Sequence, residues 1–201
     1  QKYKNYEVVI VNDCSTDSTI KIINKYKKIF SDFKIINNKI NLGLTASLNT
    51  AAKISDGEWL ARIDADDICI SSRLEEQIRI ANSNKDVAVI GSACKFIDEN
   101  NNFLLSKKFP KKSKNIISAL QKVKAFFPHS SALIKKSAFF KVGAYNEFFQ
   151  YSQDYDLWLR LSEKYKILCS DNFLIKCRIH KDRISSGASQ NKQFIFARVA
   201  I

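Results

Sequence analysis

The sequence predicts an α/β fold in which a mostly parallel sheet is flanked by helices. Short apolar runs that suit buried strands alternate with segments in which apolar residues recur at helical spacing. The 201 residues are 45% hydrophobic and 26% charged, a balance typical of a chain that buries one sizeable core. The longest apolar stretches are well below the roughly 20 residues that a spanning helix needs. We therefore expect one globular domain with neither a transmembrane helix nor a signal peptide.

The first third of the chain alternates strand and helix. The predicted elements are a strand at residues 6–11, a helix at 17–29, a strand at 33–36, a turn at 41–43, a helix at 44–54 and a strand at 58–63. Ser15 or Thr16 is expected to cap the first helix. Asp13 follows the first strand directly, as a polar residue at its carboxyl end.

Three carboxylates follow the third predicted strand on one tight turn: Asp64, Asp66 and Asp67. Carboxylates this close repel one another, so such a cluster is typical of a site that binds a divalent cation, with a solvated acidic turn as the alternative. Ligands of open α/β sheets collect outside the carboxyl ends of the strands. We therefore expect Asp13 and this acidic turn to face one crevice.

The second half of the chain alternates less regularly. Its predicted elements are a helix from residues 71–72 through 81, a strand at 87–97, a hairpin around 98–102, a basic linker or helix at 111–124, a strand at 131–134, a short helix ended by Gly143, an amphipathic helix at 154–164 and a strand at 173–178. Asp154 opens the amphipathic helix, a position that suits a general base or an N-cap equally well.

Two histidines are candidates for the same site. His180 follows the last predicted strand. Two interpretations are open: its neutral imidazole completes the coordination of the cation, or it is a surface residue without a role in binding. His129 follows Pro128 and is expected to line an acceptor side or to satisfy a backbone group. The motifs G-x-x-x-x-G-K-[ST], G-x-G-x-x-G and G-x-S-x-G do not occur, which excludes phosphate binding by a glycine-rich loop and a serine hydrolase elbow.

The net charge is +13, and lysines concentrate between residues 107 and 124. Such a stretch suits an anionic membrane surface or a solvated face, whereas nucleic acid is not expected because aromatic residues for base stacking are nearly absent there. The five cysteines form no C-x-x-C pair and are interpreted as reduced thiols. The sequence thus predicts a cytoplasmic protein, with the inner face of the plasma membrane as the surface for its lysines.

Taken together, these motifs resemble the inverting family 2 glycosyltransferases of the GT-A (Rossmann-like) fold, especially bacterial enzymes that build capsule or lipopolysaccharide. The resemblance rests on VIVNDCSTD at residues 9–17, NLGL at 41–44, DADD at 64–67, GAY at 143–145 and QDYDLWLR at 153–160, with His129 and His180.

The resemblance implies a role for each motif. It implies a nucleotide-sugar site, with a UDP-sugar as the expected donor, at Asp13, Ser15, Asn41, Gly43, Asp64 and Asp66. Asp13 would contact the base, Asp64 the ribose, and Asp66, with His180, an Mn²⁺ or Mg²⁺ ion. Asp154 would be the catalytic base. His129 and Gln153 would face a glycan or lipid-linked glycan acceptor.

The chain departs from the family pattern in two ways. Gln153 stands where the family usually has Glu, which removes a charge beside the base. Family members also carry a further strand and helix before the strand at residues 6–11, and this chain contains no Met. We therefore expect residues 1–201 to form a single GT-A domain truncated at its amino end, with a nucleotide-sugar half at 1–97 and an acceptor half at 98–201.

Two other functions remain open at this point. A nucleotidyltransferase of similar sheet architecture also carries a metal site at an acidic strand end. A carbohydrate-binding relative with weakened catalysis would explain the lost charge at Gln153.

Overall fold

The computed structural model describes residues 1–122, 126–181 and 196, and within them eight strands and six α-helices. The elements in chain order are β1 (Val8–Asn12), α1 (Thr19–Lys27), β2 (Phe33–Asn37), α2 (Leu44–Ile54), β3 (Trp59–Ala61), β4 (Ile68–Cys69), α3 (Arg73–Asn82), β5 (Val87–Ile97), β6 (Phe103–Lys107), α4 (Ser113–Gln121), β7 (Leu133–Lys135), α5 (Lys136–Lys141), α6 (Gln153–Ser162) and β8 (Lys166–Arg178). A 3₁₀ turn, His129–Ser131, precedes β7.

The strands form two sheets. β1 and β2 pair in parallel, and a six-stranded sheet has the order β3-β7-β5-β8-β4, with β6 on β5. The α/β class is confirmed, but the sheet is less parallel than expected: besides β1–β2, only β5–β8 is parallel. Parallel neighbours need a long crossover, whereas β6 joins β5 through a hairpin. β7 runs antiparallel to both of its neighbours, β3 and β5. Strands from both expected halves of the chain, residues 1–97 and 98–201, belong to this sheet.

Most predicted elements are present close to their expected bounds. The prediction for α1 was wrong at its start: the helix begins at Thr19, whose N–H donates to the Asp17 carboxylate (2.9 Å), and not behind a Ser15 or Thr16 cap. β8 begins seven residues before its predicted start, because polar residues at 170–172 interrupt its apolar pattern. The basic stretch forms α4, and Lys124 lies outside the described residues.

The core fixes the position of helix α6. Trp158, Leu157 and Leu161 are fully buried on one face of this helix. Trp158 packs against Phe127, and the Phe127 ring in turn covers Gly91 of β5, where an added Cβ would lie 2.1 Å from the ring. This packing anchors the helix whose first turn carries Asp154.

A cavity of about 920 Å³ separates the two sheets. It is lined by β1 and β3 at its edges and by α2 and α3, with Val8, Leu48, Leu60 and Ile78 among its apolar walls. Nearby in the chain, α1 exposes a helical stripe of Ile22 and Tyr26, with Ile29 just beyond its end. The cavity is thus a slot between the edges of β1 and β3, bounded by helices.

Within the part of the chain that the structure describes, every helix is too short to cross a bilayer.

Candidate functional site

Asp13 organises the turn that opens helix α2. Its carboxylate accepts hydrogen bonds from Asn38 Nδ2 (2.7 Å), the Leu42 N–H (2.9 Å) and the Gly43 N–H (2.8 Å). Although burial raises the pKa of Asp13, these donors hold it below its usual value. Asn41 Nδ2 donates to the Asp13 carbonyl (3.3 Å). The predicted residues Asp13, Asn41 and Gly43 thus form one hydrogen-bonded cluster.

Gly43 is required by the shape of this turn. Its φ of +86° lies in the left-handed region, where a residue without Cβ is favoured. Ser15 lies in the loop after β1 and is exposed to solvent. Its N–H donates to Asn12 Oδ1 (3.2 Å). Its side chain is therefore open to a ligand rather than used as a helix cap.

The three carboxylates of the acidic turn converge. Asp64, Asp66 and Asp67 each offer an oxygen atom, and these atoms lie within 4.8 Å of one another. Burial raises the pKa of Asp67, and the negative charges of Asp64 and Asp66 raise it further, against hydrogen bonds from Ser130 and Arg178. A cation placed among these groups would relieve that repulsion.

Arg62 holds Asp64 through a bidentate ion pair. Both guanidinium Nη atoms donate to the Asp64 carboxylate. Ser130 adds a third donor, since its hydroxyl lies 2.6 Å from Asp64 Oδ2 while accepting from Arg62 Nη1 (2.9 Å). The Arg62 side chain is only 8% exposed and that of Asp64 is 42% exposed. The pair therefore reaches from the protein interior to the open side of the site.

Strand β8 brings two basic residues to the acidic turn. His180 Nε2 lies 3.0 Å from Asp66 Oδ2, which is the pair that the sequence analysis predicted. The Arg178 N–H donates to Asp67 Oδ1 (2.8 Å), and Arg178 Nε donates to the Asp66 carbonyl (3.0 Å). The imidazole and the three carboxylates together provide the oxygen and nitrogen donors that suit Mn²⁺ or Mg²⁺.

Asp154 lies in the first turn of α6, directly after the buried Gln153. Burial raises the pKa of Asp154, while the nearby Arg62 charge lowers it and the Asp64 charge raises it. The Asp154 carboxylate therefore lies close enough to the Arg62–Asp64 pair for the charges of both residues to act on it. A carboxylate with a raised pKa in a cleft has the character of a general base.

His129 and Tyr145 line the same cleft as a hydrogen-bonded pair. His129 Nε2 lies 2.6 Å from the Tyr145 hydroxyl. Burial and the Arg62 charge keep the pKa of His129 well below its usual value, and burial raises the pKa of Tyr145. Both side chains are therefore neutral at pH 7, so this wall of the cleft offers hydrogen bonds without charge.

Sequence reasoning missed four residues that build this site: Arg62, Ser130, Tyr145 and Arg178. Arg62 and Asp64 are two residues apart in extended chain, so they lie on one side of it, and that spacing was a usable signal. Ser130 of the 3₁₀ turn and Arg178 of β8 reach the acidic turn from distant parts of the chain, and one sequence carries no signal for such contacts.

Comparison with known proteins assigns the class. The chain shares its fold with Staphylococcus aureus TarS 1–349 in complex with UDP-GlcNAc (TM-score 0.74, 19% identity, 100% of this chain and 57% of that one). It also resembles the mannosyltransferase PcManGT of Pyrobaculum calidifontis in complex with GDP-Man and Mn²⁺ (TM-score 0.63, 17% identity, 86% and 47%). These likenesses show that the fold is of the GT-A class.

The family follows from the sequence comparisons. The model of the family described as "Glycosyl transferase family 2" matches residues 1–143. The chain therefore belongs to that family. An uncharacterized glycosyltransferase of Methanocaldococcus jannaschii is 33% identical over 98% of this chain and 68% of its own length. The O-antigen biosynthesis glycosyltransferase WbnJ of Escherichia coli is 30% identical over 94% and 74%. The chain spans between 32% and 74% of the length of such relatives.

Proposed function

We propose that this protein transfers a sugar, with inversion, from a UDP-sugar to a hydroxyl of a glycan or lipid-linked glycan during cell-surface polysaccharide synthesis. The observation that carries the proposal is the proximity of helix α6 to the acidic turn. Trp158 of α6 packs against His129 (5.9 Å between ring centres), the neighbouring Ser130 bonds Asp64, and the charges of Arg62 and Asp64 act on Asp154. The ligands named for TarS and PcManGT and the name of WbnJ support a nucleotide-sugar donor and a polysaccharide product.

The donor is proposed to lie between the two hydrogen-bonded clusters. Asp13, with Ser15, Asn41 and Gly43 around it, would hold the base, and Asp64 would hold the ribose. The bonds that Asp13 makes to the turn give this wall a fixed shape before the donor binds, which reduces the entropy lost on binding.

Asp66 and His180 are proposed to hold Mn²⁺ or Mg²⁺. The residues fit such an ion, because three carboxylates converge beside an imidazole. Burial and the charges of Asp64 and Asp66 raise the pKa of the third carboxylate, Asp67. A bound ion would supply positive charge opposite the departing diphosphate. The protein's own contribution is to fix the ligands, since Arg178 ties both Asp66 and Asp67 to β8.

Asp154 is proposed to take the proton from the acceptor hydroxyl as that oxygen attacks the anomeric carbon. Deprotonation by a positioned carboxylate is typically worth about 10²–10⁴-fold in rate. His129, through its pair with Tyr145, and Gln153 are proposed to form the acceptor side. Their neutrality suits a sugar, which is recognised by hydrogen bonds rather than by charge.

The slot between β1 and β3 is proposed to be the position of the strand–helix unit that the family resemblance implies. The cavity between two strand edges and the exposed α1 stripe support this placement, since one strand fills the slot and one helix covers the stripe. On this proposal residues 1–201 are one incomplete domain. The protein is further proposed to be cytoplasmic.

The test is incubation of the protein, in a form extended at its amino end by the proposed strand and helix, with a panel of UDP-sugars, Mn²⁺ and a glycan acceptor. Release of UDP together with a product of inverted configuration would support the proposal. Formation of a nucleotide sugar from a sugar phosphate and a nucleoside triphosphate would contradict it, and would indicate a nucleotidyltransferase instead.

A further inference from the structure

The β5–β6 hairpin carries an apolar surface that the core does not use. β6 has the sequence FLLSK, and all five of its residues are exposed. Phe103 is 62% exposed, and Leu104 and Leu105 are each 47% exposed. Among the described residues β6 pairs only with β5, so its outer edge is open. Three large apolar side chains in sequence on a solvated strand mark an interaction surface.

Lysines flank this apolar surface. Lys107 and Lys108 follow Leu105 after Ser106, and Lys112 and Lys114 lie at the start of α4. Aromatic rings hold two of these cations, since Lys107 Nζ lies 5.5 Å from the Phe109 ring centre and Lys108 Nζ lies 5.8 Å from that of Phe173. Lys111 is paired with Asp171 and adds less charge. Positive charge beside exposed apolar side chains complements an anionic bilayer.

The acidic groups of the hairpin lie at the opposite end from its lysines. Asp98 and Glu99 are at the hairpin turn, beside the Ile97–Phe103 pair, whereas Lys107 ends β6 opposite Cys94. The acidic residues of the hairpin turn and the lysines are therefore separated by the length of β6.

The hairpin is joined to the candidate active site. Arg178 Nη1 donates to the carbonyls of Asp98 (2.8 Å) and Glu99 (3.2 Å), while its N–H and Nε bond the acidic turn. A surface bound by the hairpin therefore lies close to the cleft.

The register places Leu105 opposite Phe96 and Phe103 opposite Ile97, so these two apolar side chains lie on opposite faces of the hairpin and both flank its open edge. We infer that the β5–β6 hairpin docks the protein edge-on on an anionic phospholipid bilayer, with Phe103 and Leu105 entering the interface on either side of that edge and Lys107 and Lys108 contacting lipid phosphates. The inference deepens the proposed function, because it names the surface on which the protein would meet a lipid-linked acceptor. Only this link to the acceptor rests on the proposed function; docking on the bilayer does not.

The experiment is sedimentation of the 201-residue chain with vesicles of phosphatidylcholine alone or an equimolar mixture with phosphatidylglycerol, without donor or metal. We expect binding to the mixed vesicles that weakens with salt. Lys107→Gln with Lys108→Gln is expected to weaken it roughly 30-fold. Phe103→Ser with Leu105→Ser is expected to weaken it at least about tenfold, with unchanged thermal unfolding because both side chains are exposed.

The matched control is Lys21→Gln with Lys25→Gln on α1, which removes the same charge beside the other exposed apolar stripe. It is expected to change binding by less than about threefold. Equal loss in the control, undiminished binding by the hairpin variants, or a dimer that the hairpin variants dissociate would each overturn the inference. Because no donor is present, vesicle binding by Asp154→Asn should equal wild type, so failure of the catalytic proposal is seen separately.

Discussion

At the residue scale, the residues that carry the chemistry of the site were easier to predict than the residues that hydrogen-bond to them. Asp64, Asp66 and His180 were identified from residue type and position, and the structure brings these three together. Arg62 and Ser130, which hold Asp64, were not identified. Arg62 is two residues from Asp64 and could have been found from that spacing, whereas Ser130 reaches Asp64 from 66 residues away. Single residues at strand ends are readable from sequence, whereas the groups that orient them depend on tertiary packing.

The first prediction concerns Asp154. A carboxyl group whose pKa is raised by folding, as that of Asp154 is, makes the folded state less stable once the pH is above that pKa. The lost stability returns as the pH falls and the carboxyl group is protonated. Asp154→Asn is therefore expected to reduce kcat by about 10²–10⁴-fold while leaving the Tm at pH 7 unchanged or raised. Nucleotide release and thermal unfolding check the two parts. Full activity in the variant would remove Asp154 from the role of base.

The second prediction concerns the charge of Arg62, which lowers the pKa of Asp154. Arg62→Gln should raise that pKa further, so the acidic limb of kcat/KM should move to higher pH. Loss of the bidentate pair should also cost about 2 kcal/mol of unfolding free energy. The control is Arg79→Gln, which breaks an exposed Arg79–Glu76 pair worth about 0–1 kcal/mol. An unmoved pH limb in Arg62→Gln would refute the coupling.

At the scale of elements, local signals decided what was predictable. Helix α2 has its predicted bounds, because Gly43 precedes it and its apolar residues keep helical spacing. Strand β4 was not predicted, since it has two residues and exists through its pairing with β8. The pairing of β5 with β8 across about 80 residues likewise has no local signal.

The third prediction compares two glycines. Gly91→Ala would put a methyl group 2.1 Å from the Phe127 ring and should cost about 1–3 kcal/mol of stability. Gly43→Ala has nothing within 4 Å of its Cβ, but its φ of +86° should cost about 1–2 kcal/mol and distort the turn bonded to Asp13. Urea unfolding and UDP binding measure both variants. Gly43→Ala alone should lose UDP affinity beyond its stability loss; equal UDP affinity in both variants would contradict the assignment.

At the scale of the whole molecule, the α/β class followed from periodicity, but the division into two sheets did not. The cavity between β1 and β3 depends on how the two sheets pack against each other, and no local sequence pattern reports that packing.

The fourth prediction tests this slot. A form extended at its amino end by a strand and a helix should unfold at higher temperature and transfer sugar, because the added strand joins the two sheets. The 201-residue chain should show little transfer under the same conditions. Equal turnover and equal Tm in the two forms would refute the proposed strand position.

The central claim is that Asp66 holds a divalent ion with the donor diphosphate in the cleft that Asp154 faces. The most direct measurement is the electron paramagnetic resonance signal of free Mn²⁺ during titration with UDP, using the extended form. The account predicts that UDP removes the signal in wild type and in Asp154→Asn, and that Asp66→Asn weakens this effect at least about tenfold. Undiminished Mn²⁺ and UDP binding by Asp66→Asn would contradict it.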